Sequence, residues 1–205
     1  MQYFTFLGVG TLPEGYEEAL YSFEDNKEEI HASKYVQSAI IEKFQSAISE
    51  VFVFCTEKSY SLGARNIKNE IKTKFNIDIK FITINEFVKI EEILQKMDEV
   101  LKEDFIIDVT HSFRNIPISV TMISNYLEVS TKKQLKHLFY GNYNRETNEG
   151  LIIDLINQYE NSKIASSLMA FDQFLKISDT YLYNLNDNKI NNLMKGIYQF
   201  NHMLD

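Results

Sequence analysis

The chain has 205 residues, 44% hydrophobic and 24% charged, with a formal net charge of −8 and a pI near 5.1. That length and composition support one globular domain with a small appendage and exclude a low-complexity or disordered chain. The acidic balance argues against general binding of duplex nucleic acid, whose phosphates are held by Lys and Arg, but leaves room for a small anion in a locally basic pocket. The single cysteine, Cys55, forbids an internal disulfide, and its neighbours Val53 and Phe54 read as a buried strand. The four histidines, His31, His111, His137 and His202, stand at no metal-ligand spacing, so no metal is expected. The first ten residues lack the basic region of a signal peptide, and no stretch reaches the ~20 apolar residues of a membrane span. A cytoplasmic protein with no membrane association is expected.

In chain order, residues 3–10 read as a short apolar strand ending at Gly8 and Gly10. Residues 22–33 are polar and irregular, in the manner of a hairpin. Residues 34–48 carry Tyr35, Val36, Ala39, Ile40 and Phe44 at helical spacing. A continuous apolar strand follows over 50–55. Residues 62–75 read as a helix with Ile67, Ile71 and Phe75 on one face, and 78–84 as a strand. Residues 85–103 form a long amphipathic helix with Asn85 as its N-cap. A strand over 105–110, a helix over 116–130 and strands over 135–144 and 150–156 come next, and the chain turns helical from about Asn161. Lys132, Lys133 and Lys136 read as a solvated face, and the stretch Tyr181, Leu182, Tyr183 and Leu185 as packing or dimer surface.

Strands alternate with helices, and several strands lack period-2 polarity, as in parallel sheets covered on both faces. The expected fold is an α/β Rossmann-like three-layer sandwich with a mostly parallel sheet over residues 1–155, followed by a helical extension over 156–205.

Ligands of such sheets bind beyond the carboxyl ends of the strands. Four strand ends are unusual: Gly8, Val9, Gly10 and Thr11; Thr56, Glu57, Lys58 and Ser59; Thr110, His111, Ser112, Phe113, Arg114 and Asn115; and Gly141, Asn142, Tyr143 and Asn144. Glycines admit an anion close to the backbone, amides at a helix start favour negative charge, and Arg114 can clamp a phosphate. Pro117 suits such a helix start, and Phe113 or Tyr143 can stack on a base. Each group alone also has a plainer reading: turn glycine, capping Thr110, surface-paired Arg114. Asp108, Thr110, His111 and Arg114 in one turn favour a site, with Asp108 holding the turn by accepting backbone or threonine hydrogen bonds. The incomplete glycine pattern argues against a dinucleotide-dependent enzyme, which stays open as an alternative.

The stretch from Asp108 to Leu127 resembles the CRISPR-associated Rossmann-fold (CARF) sensors of type III CRISPR systems. Their strand-to-helix turn reads Asp-hydrophobic-Thr-His-Gly-hydrophobic-Arg, followed by a Pro and an apolar helix. Asp108, Thr110, His111, Phe113, Arg114 and Pro117 match, and Ser112 stands where Gly is usual. Residues 5–10, 34–44 and 51–59 resemble the family's first strand, first helix and Thr-Glu-Lys strand end, so the likeness covers about residues 1–155. It implies a homodimer that binds a cyclic oligoadenylate, tetra- or hexa-adenylate, across its two-fold axis, with no further cofactor. On this likeness Thr110, His111 and Arg114 line phosphates and riboses, Gly8–Thr11 and Thr56–Ser59 complete the cradle, and Gly141–Tyr143 face an adenine. Relatives often carry a HEPN ribonuclease, whose signature places a His shortly after an Arg. Arg65, Arg114 and Arg145 are not so followed, so a sensor acting on a separate or attached effector is expected. Some such sensors also cleave their ring without metal; Lys58, His111 and Arg114 are the candidates, with no choice among them.

Overall fold

The computed structural model describes residues 1–10, 16–86, 89–111 and 116–174, together with Gly196. Strand β1 (Gln2–Leu7) is buried along its whole length because it has a parallel neighbour on each side. In chain order the other strands are β2 (Ala19–Phe23), β3 (Asn26–Ser33), β4 (Glu50–Cys55), β5 (Ile79–Thr83), β6 (Phe105–Asp108), β7 (Leu135–Asn144) and β8 (Glu149–Asp154). They form one eight-stranded sheet in the order β3-β2-β8-β7-β6-β1-β4-β5. From β5 to β7 every pairing is parallel; β7/β8 and β2/β3 are antiparallel, and β2 lies parallel to β8. This is the α/β, mostly parallel Rossmann-like architecture that the alternation of elements predicts.

The helices are α1 (Val36–Phe44), α2 (Glu57–Phe75), α3 (Ile90–Val100), α4 (Ile116–Thr131) and α5 (Ile156–Phe174). The chain steps from β1 to β4 to β5 on one side, then returns to β6 and β7 on the other. Right-handed crossovers therefore put α1 and α2 on one face of the sheet and α3 and α4 on the opposite one. Side-chain alternation along β1 serves both layers. Tyr3 and Leu7 join Ile40, Ile67 and Ile71 under α1 and α2. Phe4 and Phe6 enter an aromatic cluster with Phe52, Phe54 and Phe105, with Phe4 and Phe52 stacked at 5.1 Å. Cys55 is buried in β4, and burial pushes its thiol up to about 11, so it stays protonated at neutral pH.

Some boundaries differ from expectation for local reasons. Helix α2 starts at Glu57 rather than Leu62, because Thr56 and Ser59 close a capping box that begins the helix directly after β4. Helix α3 starts at Ile90 with Lys89 at its N-cap, so Asn85 is no cap; its amide instead bonds Glu92 Oε2 at 3.0 Å. The polar stretch over 22–33 forms the expected hairpin: the end of β2, a turn at Glu24 and Asp25, and β3, with one register shift between Ser22 and Phe23. Helix α5 begins at Ile156 rather than near Asn161, with Asp154 Oδ1 accepting from the Ile156 amide at 3.0 Å.

The chain divides into two compact units, residues 1–156 and residues 157–205. In the second, Ser162, Ser166 and Ser167 return hydroxyl bonds to carbonyls about a turn back within α5. The stretch Tyr181–Leu185 lies outside the described residues.

The junction of β2 with β8 depends on a missing side chain. Tyr21 and Gly150 are paired in register, and a Cβ on Gly150 would stand 2.4 Å from Cδ1 of the Tyr21 ring. Gly150→Ala should therefore displace the ring and lower the urea-unfolding free energy by about 1–3 kcal/mol, whereas an unchanged midpoint would show that the ring can yield freely.

Candidate functional site

Asp108 ends β6 and has no exposure to solvent. A buried carboxylate is costly unless donors surround it. Oδ2 accepts from the Thr5 hydroxyl at 2.7 Å and the Tyr3 phenol at 3.4 Å. Oδ1 accepts from the Thr110 amide at 2.9 Å and the Thr110 hydroxyl at 2.5 Å. The network continues both ways. Gln37 Nε2 on α1 donates to Thr5 Oγ1 at 3.2 Å and to the Phe6 carbonyl at 3.0 Å, while Thr110 Oγ1 accepts from the Gly141 amide at 2.7 Å. One polar chain thus ties α1, β1, β6, the turn after β6, and β7. Burial and the neighbouring Asp108 hold the Tyr3 phenol well above its ordinary range, so it remains a donor.

The glycines belong to the same construction. A Cβ at Gly141 would sit 3.1 Å from both Thr110 Oγ1 and Val36 Cγ2, so a side chain there would press β7 and the turn apart by a few tenths of an ångström. After β1, Gly8 lies against the His111 backbone, and Gly10 takes the left-handed region at φ 67°.

The order in which strands are added reverses between the parallel neighbours β1 and β6, so a crevice opens beyond their carboxyl ends. It holds a cavity of about 460 Å³. Gly8, Val9 and Gly10, Thr110 and His111, and Gly141 and Tyr143 all line it. Three of the four predicted segments therefore converge. The fourth does not: Thr56 and Ser59 are buried in their capping box, Glu57 and Lys58 are exposed, and none of the four lines the cavity. The stretch Gly141–Asn144 lies within β7, as the expected strand over 135–144 has it, and is paired with β8. Strand alternation then sends Asn142 away from Gly141 and Tyr143, to a second depression of about 390 Å³ shared with Asn144 and Lys27. Thr11, Ser112, Phe113, Arg114 and Asn115 lie outside the described residues.

The cavity is completed by Tyr16, Glu17, Tyr21, Lys34 and Arg145, none of which the sequence singled out. Tyr16, Glu17, Tyr21 and Lys34 arrive because β2 and β3 are built into the sheet beside β8, bringing the start of β2 and the end of β3 to the cavity rim, and Arg145 comes from the turn between β7 and β8. No motif marks them; the pairing of β2 with β8 places the first four, and the β7–β8 hairpin places Arg145.

His111 packs against the Tyr16 ring, centroids 4.8 Å apart and planes at 63°. Its Nε2 is buried without a hydrogen-bond partner, as is the Tyr16 hydroxyl. Burial pushes the imidazole below its usual 6.5, against the opposing pull of Asp108. Burial also raises the phenol of Tyr16 above its ordinary range and that of Tyr21 up to about 12. The cavity therefore joins a neutral aromatic wall with unpaired polar atoms and backbone amides to a rim bearing Lys34 and Arg145. This combination suits a ligand with a flat ring and phosphate oxygens. Among the described residues no group of His, Cys, Asp and Glu could hold a metal. No protein-family model matches the chain, and no curated protein matches it.

Two outcomes follow from this geometry. Thr110→Val removes one of the two donors to Asp108 Oδ1 and leaves the Gly141 amide without its partner, and should cost about 1–3 kcal/mol in chemical unfolding, while Thr110→Ser stays near wild type. The depressed His111 imidazole favours the folded state above 6.5. As pH falls below 6.5 the unfolded chain takes up a proton that the native site resists, and stability drops. Unfolding free energies measured on both sides of that value should therefore fall more steeply for wild type than for His111→Gln; parallel slopes would show that His111 titrates normally.

Proposed function

We propose that this chain is a sensor of a cyclic oligoadenylate second messenger, working as a homodimer in type III CRISPR defence and controlling an effector, like the CARF sensors it resembles. The observation that carries the proposal is the convergence of Gly8–Gly10, Thr110–His111 and Gly141 on one cavity at the strand-order reversal. At about 460 Å³ the hollow is of small-molecule size, within the range of ~300–1,000 Å³. It suits part of a nucleotide ring rather than a whole one. A symmetric ring laid across a two-fold axis supplies each protomer with the same portion, so two such cavities can share one ligand. The acidic chain keeps few cations for this purpose, and Lys34 and Arg145 stand at the rim.

A second reading is favoured by His111. A neutral imidazole with an unpartnered buried Nε2 can take a proton from a ribose 2′-hydroxyl, which is the first requirement for metal-independent cleavage of the ring. Of the earlier candidates, Lys58 does not line the cavity and Arg114 lies outside the described residues.

Isothermal titration with cyclic tetra- and hexa-adenylate tests the proposal, with one ring per dimer expected. Arg114→Ala should weaken that binding on the order of a hundredfold with the fold intact. Heat from neither ring ends the sensor reading. Linear products after incubation in EDTA, lost in His111→Ala, establish the nuclease reading; an intact ring removes it.

A further inference from the structure

Among the described residues, the Tyr16 hydroxyl is one of two buried polar groups in the cavity wall, with His111 Nε2, that lack a hydrogen bond of regular geometry. Its oxygen faces the backbone amides of both Gly8 and Gly10. A Cβ on Gly8 would come within 3.0 Å of that oxygen, so glycine there is what admits it. Gly10 turns through the left-handed region at φ 67°, a conformation that brings nearby amides round toward one point. Two amides converging on a single oxygen form a cradle of the kind that binds anions.

A phenol is a poor occupant of such a cradle. It is neutral, and burial keeps it so. The two amides therefore meet a weak acceptor, and the adjacent His111 Nε2 is left unpartnered as well. A phosphate oxygen carries charge and accepts stronger, shorter hydrogen bonds from the same donors.

We propose that Tyr16 holds the place of a phosphate oxygen of the ligand: its hydroxyl fills the Gly8–Gly10 cradle in the empty protein and is displaced when a phosphate ester binds. Tyr16 is then a built-in competitor that sets the threshold concentration for binding. The identity of the ligand rests on the nucleotide reading above; the cradle and its occupant rest on the loop geometry alone.

The direction of the effect separates this from a direct contact. Without the hydroxyl, the empty cradle loses its occupant while the bound state loses nothing. Tyr16→Phe should bind on the order of fivefold more tightly than wild type. Calorimetry on the full chain would use cyclic tetra-adenylate, cyclic hexa-adenylate and, as the smallest probe with the same chemistry, adenosine 5′-monophosphate. Thermal unfolding would check that the variant is folded, with Tyr16→Leu as a second hydroxyl-free variant should it not be. Tighter binding of any of these probes supports the proposal. Equal or weaker binding overturns it, as does the absence of binding by all three in wild type and variant. If only the monophosphate binds, and binds Tyr16→Phe more tightly, the cradle stands and the cyclic-ligand reading falls. If a ring binds both proteins equally, the ring reading stands and the role of Tyr16 falls.

Discussion

The structure around the cavity depends on one buried carboxylate. Asp108 accepts from Tyr3 and Thr5 on β1 and from the Thr110 amide and hydroxyl in the turn that follows it. A charge in that position is tolerated only while those donors stay in place. The demand runs outward, since Thr5 is also held by Gln37 on α1 and Thr110 also takes the Gly141 amide on β7. Satisfying the carboxylate thereby sets the distance between the loop after β1, the turn after β6 and the middle of β7. Those are the segments that line the cavity.

The cavity exists because several side chains are missing. Gly8 and Gly141 leave space against His111, Tyr16 and Thr110, and the cavity borders that space. Its wall is aromatic and uncharged, which raises the worth of each hydrogen bond formed there and also the cost of each one left unmade. The unpartnered Tyr16 hydroxyl and His111 Nε2 are two such unmade bonds, set side by side. Formal charge stays at the rim with Glu17, Lys34 and Arg145. In a chain of net charge −8, that arrangement gives an anion local attraction without general affinity for polyanions.

What could be read from the residues themselves was whatever short-range physics decides. Apolar runs without alternation marked β4 and β6 as strands buried on both faces, and helical spacing marked α1 and α2. A carboxylate, a hydroxyl and an imidazole crowded after β6 marked the turn, and Asp108 was legible as its anchor because a buried Asp can only stay by accepting hydrogen bonds. Thr56 closes the capping box of α2 through reciprocal bonds with Ser59, a role its sequence context does not reveal because a capping threonine and a binding threonine look alike there. The strand over 135–144 was legible, but that Asn142 faces away from Gly141 and Tyr143 follows from the alternation of side chains along β7 as it stays paired with β8.

By itself, then, the sequence determined the strand–helix alternation, the buried strands and the polar turn at Asp108, since periodicity, capping and burial are properties of neighbouring residues. The tertiary structure alone decided that β2 and β3 enter the sheet beside β8, and with them Tyr16, Tyr21 and Lys34. Those residues reach the cavity through pairing between segments far apart in the chain. Such pairing is settled by which surfaces fit, as the Tyr21 ring fits over Gly150, and no local pattern records it.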